Sequence, residues 1–193
     1  MLEETGLPYS VTSVDITQGE QSAAEFVKIS PGSKIPAIVD HDEDITLMES
    51  GAILIYLADK TGKFLSTQNV LRATQIEWLM FQMGNVGPML GQTHHFVKFN
   101  PDVSEYASER YRKEAVRLYG VLDRRLQESP YLAGAKYSIA DIATWPWISR
   151  FEWQQMDLAV YASLSRWYKE IAVRPAVQRG YVVPHKVTDI PMP

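Results

Sequence analysis

The sequence has 193 residues and no cysteine. That one absence excludes a disulfide scaffold, a thiolate metal site, a CxxC redox pair and a cysteine nucleophile. Any thiol chemistry must use a thiol brought from elsewhere. Positive charge is not in excess either. Nineteen Lys and Arg stand against 23 Asp and Glu, for a net charge of −4. A nucleic-acid partner is therefore not expected, because no basic surplus is available to neutralise phosphates. No apolar run reaches the ~18 residues of a membrane span. Met1–Glu4 lacks the basic and apolar regions of a signal peptide, so the expectation is a cytoplasmic protein with no membrane partner. There is no GxGxxG or GxxxxGK nucleotide loop and no evident nucleophile elbow. His94 and His95 are adjacent, so on a helix they point ~100° apart. No third ligand lies at a recognisable spacing, and a structural or pocket-lining role is expected rather than a metal site.

What is present is an ordinary globular balance, 46% hydrophobic and 22% charged. The length suits one large domain or two small ones, with a sizeable core. The two parts of the chain read differently. In residues 1–65, Tyr9–Ile16 (YSVTSVDI) is rich in β-branched residues and reads as a strand. Gln21–Ile29 is a short helix candidate. Ile35–Val39 suits a buried strand, His41–Asp44 a polar turn, and Ile45–Leu47 the returning strand of a hairpin. Ser50–Lys60 reads as a helix with Ile53, Leu54 and Leu57 on one face and Gly62 past its end. The order strand, helix, strand, strand, helix indicates an α/β or α+β unit.

After a linker near Ser66–Asn69, residues 66–193 contain no convincing strand and read as an all-helical domain. Val70–Phe99 is helical, with interruptions expected near Gly84, Gly87 and Pro88. Tyr111, Ala115, Leu118, Leu122 and Leu126 step by four, three, four and four, forming one apolar stripe. Ser138-Ile139-Ala140-Asp141 reads as a capping box opening a buried helix. Trp145, Trp147, Phe151 and Trp153 follow it and read as core. Leu158–Val173 is a last amphipathic helix, stopped at Arg174-Pro175. The tail from Pro184 to Pro193 should run extended.

Two segments suggest chemistry. In Ser33-Lys34-Ile35-Pro36-Ala37-Ile38-Val39, a proline opens an apolar strand. A cis Ile35–Pro36 bond would present the Ile35 N–H and C=O to an extended peptide. The pattern alone favours a plain strand-opening proline, since only about 5–6% of X–Pro bonds in folded proteins are cis. In Glu49-Ser50-Gly51-Ala52-Ile53, a helix N-terminus offers N–H groups and partial positive charge to a carboxylate. Ser50 could add its hydroxyl, and Glu49 could accept from an ammonium. The simpler alternative is that Ser50 only caps the helix and Glu49 is solvated.

Taken in order, SPGSKIPAIVD, ESGAILIYLADKTGKFL and YSIADIATWPW resemble the cytosolic glutathione transferases. Gly87–Phe96 (GPMLGQTHHF) and Glu109-Arg110-Tyr111 narrow the resemblance to the bacterial nu class, which includes disulfide-bond oxidoreductases. The likeness runs from Leu2 to about Pro175. It implies a thioredoxin-like domain over 1–65, a helical domain over 66–193, and a homodimer. It implies glutathione as cosubstrate, held by Gln21, Lys34, Ile35, Glu49, Ser50 and Arg110. Ile35 would pair with the cysteinyl unit, with Pro36 cis. Glu49 and Ser50 would take the γ-glutamyl end, and Lys34 would lie near the glycine carboxylate. The implied reaction joins glutathione with a small electrophile or a disulfide. A non-catalytic glutathione-binding or interaction module of the same fold is the alternative.

The resemblance also implies a strand and most of a helix before Tyr9, together ~15–20 residues from ordinary element lengths. The chain opens inside that helix, at Leu2-Glu3-Glu4-Thr5-Gly6. The family's thiol-activating donors lie in that stretch, so no catalytic residue is assigned. The expectation is a sequence that starts late, with a sheet edge and apolar surface left uncovered.

Overall fold

Short β-prone runs and longer amphipathic ones sort into two packed units in the computed structural model, which describes all 193 residues. The first unit holds α1 (Leu2–Thr5), α2 (Ala24–Ile29), β1 (Ala37–Asp40), β2 (Ile45–Met48) and α3 (Ser50–Thr61). β1 and β2 form a two-stranded antiparallel sheet, with Ala37 opposite Met48 and Asp40 opposite Ile45. The hairpin is polar at its turn, as the sequence indicates, and Asp44 there takes a φ of 52°. Gly62 ends α3 in a left-handed conformation (φ 66°), where its missing side chain avoids strain.

Tyr9–Ile16 forms no strand. Its β-branched residues have strand propensity, but propensity needs a neighbouring backbone to pair with. The segment has none, and Tyr9, Val11 and Ile16 remain exposed.

The helical unit is built on α4 (Asn69–Phe81), α5 (Gly87–Thr93), α6 (Glu105–Glu128), α7 (Ile139–Ile148), α8 (Ala162–Ala172) and α9 (Pro175–Tyr181). The expected interruptions at Gly84, Gly87 and Pro88 do not break the helix. The chain passes from α4 through a π-helical turn (Gln82–Val86) into α5, and through a second one (His94–Phe99). Pro88 falls at the start of α5, where its lack of an N–H is tolerated. Pro175 likewise opens α9 instead of ending the helical region. The α6 stripe is the spine of the main core: Ala115, Leu118, Leu122 and Leu126 pack with Leu90, Ile148, Trp167 and Ile171. A smaller cluster joins the two units, with Leu54, Ala58 and Leu65 against Leu79 and Ile139.

The capping box is present, and Asp141 does more than close a helix end. Fully buried, it accepts from Ser138 N (3.0 Å), Ser138 Oγ (3.1 Å), Leu132 N (2.9 Å) and Trp167 Nε1 (2.8 Å). It thereby ties the start of α7 to a loop and to α8. No helix is long and apolar enough to cross a membrane.

Candidate functional site

The hairpin register places the two motifs side by side. Because Ala37 lies opposite Met48, the residues just before β1 and just after β2 are neighbours across the sheet. These are Ile35-Pro36 and Glu49-Ser50, which enter and leave the hairpin at its open end. The loop leading into β1 is held from beneath. Ser30 is buried, and its Oγ donates to the Lys34 carbonyl (2.8 Å), while Ser33 N donates to Ser30 O (2.8 Å). The Ile35–Pro36 bond is cis. The Ile35 side chain is half exposed, and neither its N–H nor its C=O bonds to another backbone group.

Glu49 precedes α3 with a φ of 67°, and its side chain is exposed. No side chain caps α3. Ser50 therefore does not play the capping role of the simpler reading. Its Oγ turns instead toward Met83 Sδ in the helical unit, at 3.7 Å. The first intrahelical bond is Ile53 N to Glu49 O (2.9 Å), so the N–H groups of Ser50, Gly51 and Ala52 are left for a ligand. Together they present aligned donors and the positive end of the helix dipole.

Gln21 sits in a single 3-10 turn, Glu20–Ser22, preceded by Gly19 at φ 78°. Its Oε1 is buried without a hydrogen-bond partner. Lys34 is exposed beside Ile35. Arg110 is also exposed, on the second turn of α6. The adjacent Tyr111 ring stacks on Phe96 (centroids 5.5 Å, 9°). Thirteen residues of helix separate Phe96 from Met83, a rise of about 20 Å. Ile35, Glu49 and Ser50 are thus brought together, Lys34 adjoins them, and no contact ties Gln21 or Arg110 to the cluster.

Pro36 and Ser50 also line an apolar cavity of about 700 Å³ between the two units. Gln82 lines it too, 4% exposed, with its Oε1 unpartnered. Neither Gln82 nor Met83 is singled out by sequence pattern. The available signal was the cluster Gly84, Gly87 and Pro88, which marks an irregular helix, and π-turns often accompany functional sites.

His94 belongs to a different cluster. Its ring stacks on Trp147 (centroids 5.9 Å, 19°) and meets Trp153 edge-on, and its Nε2 is 2.9 Å from Gln154 Nε2. Burial, reinforced by the nearby Arg150, holds its pKa down to about 4. The imidazole is therefore neutral at pH 7. Trp145 and Phe151 are buried, but Trp147 and Trp153 are only partly so.

Residues 1–59 match the glutathione S-transferase N-terminal domain, and residues 105–170 match the C-terminal domain. The disulfide-bond oxidoreductase YfcG of Escherichia coli K12 is 51% identical over 180 residues, covering 91% of this chain and 84% of that protein. The oxidoreductase YghU of the same organism is 38% identical, covering 95% and 69%. A glutathione transferase from Burkholderia graminis, solved with two glutathione molecules per subunit, superposes with a TM-score of 0.88 at 41% identity, covering 95% of this chain and 81% of that one. One from Pseudomonas putida, solved with one glutathione disulfide per subunit, has a TM-score of 0.88 at 40% identity, covering 95% and 84%.

Proposed function

The chain belongs to the glutathione transferase family, and from that premise we propose that it is a glutathione-dependent disulfide reductase. The observation that carries this reading is the unpaired Ile35 backbone set across the hairpin register from the open N-terminus of α3. An extended tripeptide can pair its cysteinyl N–H and C=O with Ile35. Its γ-glutamyl carboxylate then meets the Ser50 hydroxyl and the α3 N–H groups, and its ammonium meets Glu49. Lys34 is suited to the glycine carboxylate. Gln21 adds an unsatisfied acceptor, and Arg110 adds a cation from the helical unit. Residues 1–65 act as the peptide-binding domain and 66–193 as the helical domain.

With no cysteine in the chain, both reducing thiols come from glutathione. A first glutathione thiolate attacks one sulfur of the substrate disulfide, forms a mixed disulfide and releases one substrate thiolate. A second thiolate attacks the glutathione sulfur of that mixed disulfide, giving glutathione disulfide and the other substrate thiolate. Two glutathione molecules, or one glutathione disulfide, per subunit in the relatives support this stoichiometry. A free thiol has a pKa near ~8.5, so the fraction present as thiolate sets the rate of both steps. Conjugation to a small electrophile would use the same bound thiolate.

The exposed Val70 and Met80 on α4 support a homodimer, and a cytoplasmic location fits a reaction that consumes reduced glutathione. The test is a calorimetric titration of the 193-residue chain with glutathione, beside glutathione-dependent reduction of bis(2-hydroxyethyl) disulfide. Saturable binding with turnover is the expected result. Binding without turnover replaces the enzyme with a glutathione-binding module. No binding overturns the site.

A further inference from the structure

The chain has no cysteine, so the sulfur that can take up oxygen reversibly is methionine sulfur. Of the seven methionines, Met83 is the one whose sulfur accepts a hydrogen bond. Its donor is the Ser50 hydroxyl, at 3.7 Å. The same side chain covers Gly51. A Cβ there would meet Met83 Cγ, Sδ and Cε at 3.1, 3.2 and 3.5 Å, so the thioether lies flat against the first turn of α3. Met83 is half-buried, on a π-turn, at the margin of the cluster formed by Leu54, Ala58 and Leu79. It lines neither of the two large cavities, so its contact with α3 does not depend on them.

A peroxide oxidises a thioether by a balanced two-electron step. A sulfur lone pair attacks one peroxide oxygen, an S–O bond forms and the O–O bond breaks. The sulfur is oxidised to the sulfoxide, and the other oxygen leaves, protonated, as water or an alcohol. A thioether is a weak acceptor, whereas the sulfoxide is polar. Gly51 blocks one side of Sδ, and the Ser50 side is open. The 3.7 Å gap between Sδ and Oγ lets the flexible methionine end place the new oxygen at an ordinary hydroxyl hydrogen-bond distance of ~2.7–2.8 Å. Ser50 has a single O–H to give. Donated to the sulfoxide, it is withdrawn from a carboxylate at the α3 N-terminus.

We propose that Met83 is a reversible oxidation site that sets glutathione affinity, its sulfoxide capturing the Ser50 hydroxyl from the glutathione carboxylate. The proposal rests on the assignment of Ser50 to the γ-glutamyl end. Its consequence is a chain that stops consuming glutathione while a peroxide persists and resumes when the sulfoxide is repaired.

The test treats the full chain with hydrogen peroxide, which is removed before glutathione is added. Peptide mass spectrometry follows the added oxygen at each methionine. Calorimetry measures the glutathione dissociation constant, each protein being compared with its own untreated form. The exposed Met80 and Met192 are internal controls. The constant should rise by about fivefold or more, in proportion to Met83 sulfoxide and not to Met80 or Met192 sulfoxide. It should return after repair by a thiol-dependent methionine sulfoxide reductase. Met83→Leu, which conserves volume, should show no change on the same treatment. Ser50→Ala should change by less than about twofold, because the captured hydroxyl is gone. If Met83→Leu fails to fold, the repair step in the natural chain decides. The inference is overturned by no sulfoxide at Met83 once Met80 and Met192 are oxidised, by unchanged affinity despite Met83 sulfoxide, or by an equal loss in either variant. An untreated chain that does not bind glutathione removes the Ser50 assignment first, and the inference with it.

Discussion

The Ser50 hydroxyl donates to the Met83 thioether at 3.7 Å, linking the first residue of α3 to the π-turn of the helical unit. A thioether is a weak acceptor. The hydroxyl is thus oriented without being strongly committed, and a carboxylate at the α3 N-terminus can take it over at little cost. Ser50→Ala removes one charge-assisted hydrogen bond, worth ~1.5–3 kcal/mol. The glutathione dissociation constant should rise by roughly tenfold or more in calorimetry. Glu49→Ala should do the same by loss of the ammonium partner. Unchanged affinity in both variants would remove the headgroup assignment.

Gly51 is under the same methionine. A Cβ added there would lie 3.1 Å from Met83 Cγ and 3.2 Å from Sδ. Overpacking costs ~1–3 kcal/mol, and a flexible methionine places this case near the lower end. Gly51→Ala should therefore lower thermal stability modestly and loosen glutathione binding by pushing the start of α3 away from Met83. Gly51→Ala with Met83→Ala should recover most of the affinity. If the double variant is as weak as Gly51→Ala alone, the steric explanation fails.

Asp141 holds four donors from three places in the chain. Asp141→Ala strands buried N–H groups of Leu132, Ser138 and Trp167, which exceeds the ~1 kcal/mol of an ordinary cap. A loss of ~3–5 kcal/mol is expected in urea unfolding, with Trp167 fluorescence as the reporter. A loss below about 1 kcal/mol would reduce Asp141 to a simple cap.

That residue also shows what the sequence discloses. Ser138 and Asp141 are three apart, and spacing alone declares the box. The bonds to Leu132 and Trp167 cross the fold, and no local pattern encodes them. The same division runs through the site. Ile35 and Glu49-Ser50 are legible because a strand-opening proline and a helix start have local signatures, and hairpin register then makes them neighbours. Met83 and Gln82 are not legible, because a π-turn is set by packing rather than by propensity. Tyr9–Ile16 has the composition of a strand and is not one, since pairing requires a partner that composition does not report. Pro175 reads as a stop, and α8 does end at Ala172 ahead of it, but it also opens α9, because the same missing N–H suits both roles.

His94 carries the pH dependence. Its pKa is held down to about 4 in the fold, while an unfolded histidine titrates near 6.5. The folded value is the lower one, so unfolding takes up a proton as the pH falls from about 6.5 toward 4. Stability is lost across that window and is fully present above it. For a half-buried group the effect at pH 5 is about 1–2 kcal/mol after allowance for solvent screening. His94→Phe keeps a ring on Trp147 and removes the titration. Urea unfolding at pH 7 and pH 5 should show a smaller loss for the variant than for the natural chain. Equal losses would assign the acid sensitivity elsewhere.

The first and last helices are clamped by a planar pair. Arg174 Nε and Nη2 donate to Glu4 Oε1 and Oε2 at 2.7 and 2.8 Å, and the guanidinium lies 4.0 Å from the centre of the Tyr137 ring. Most surface ion pairs contribute little, but the Glu4 side chain is only 9% exposed. Removing its partner leaves a poorly solvated carboxylate, so Arg174→Ala should cost ~2–3 kcal/mol. Lysine supplies charge without the two-pronged geometry or the flat face against Tyr137. Arg174→Lys should therefore recover less than half of the loss. In amide exchange, α1 and α9 should open together in both variants while α6 stays protected. Full rescue by lysine would show that charge, and not shape, holds the two helices.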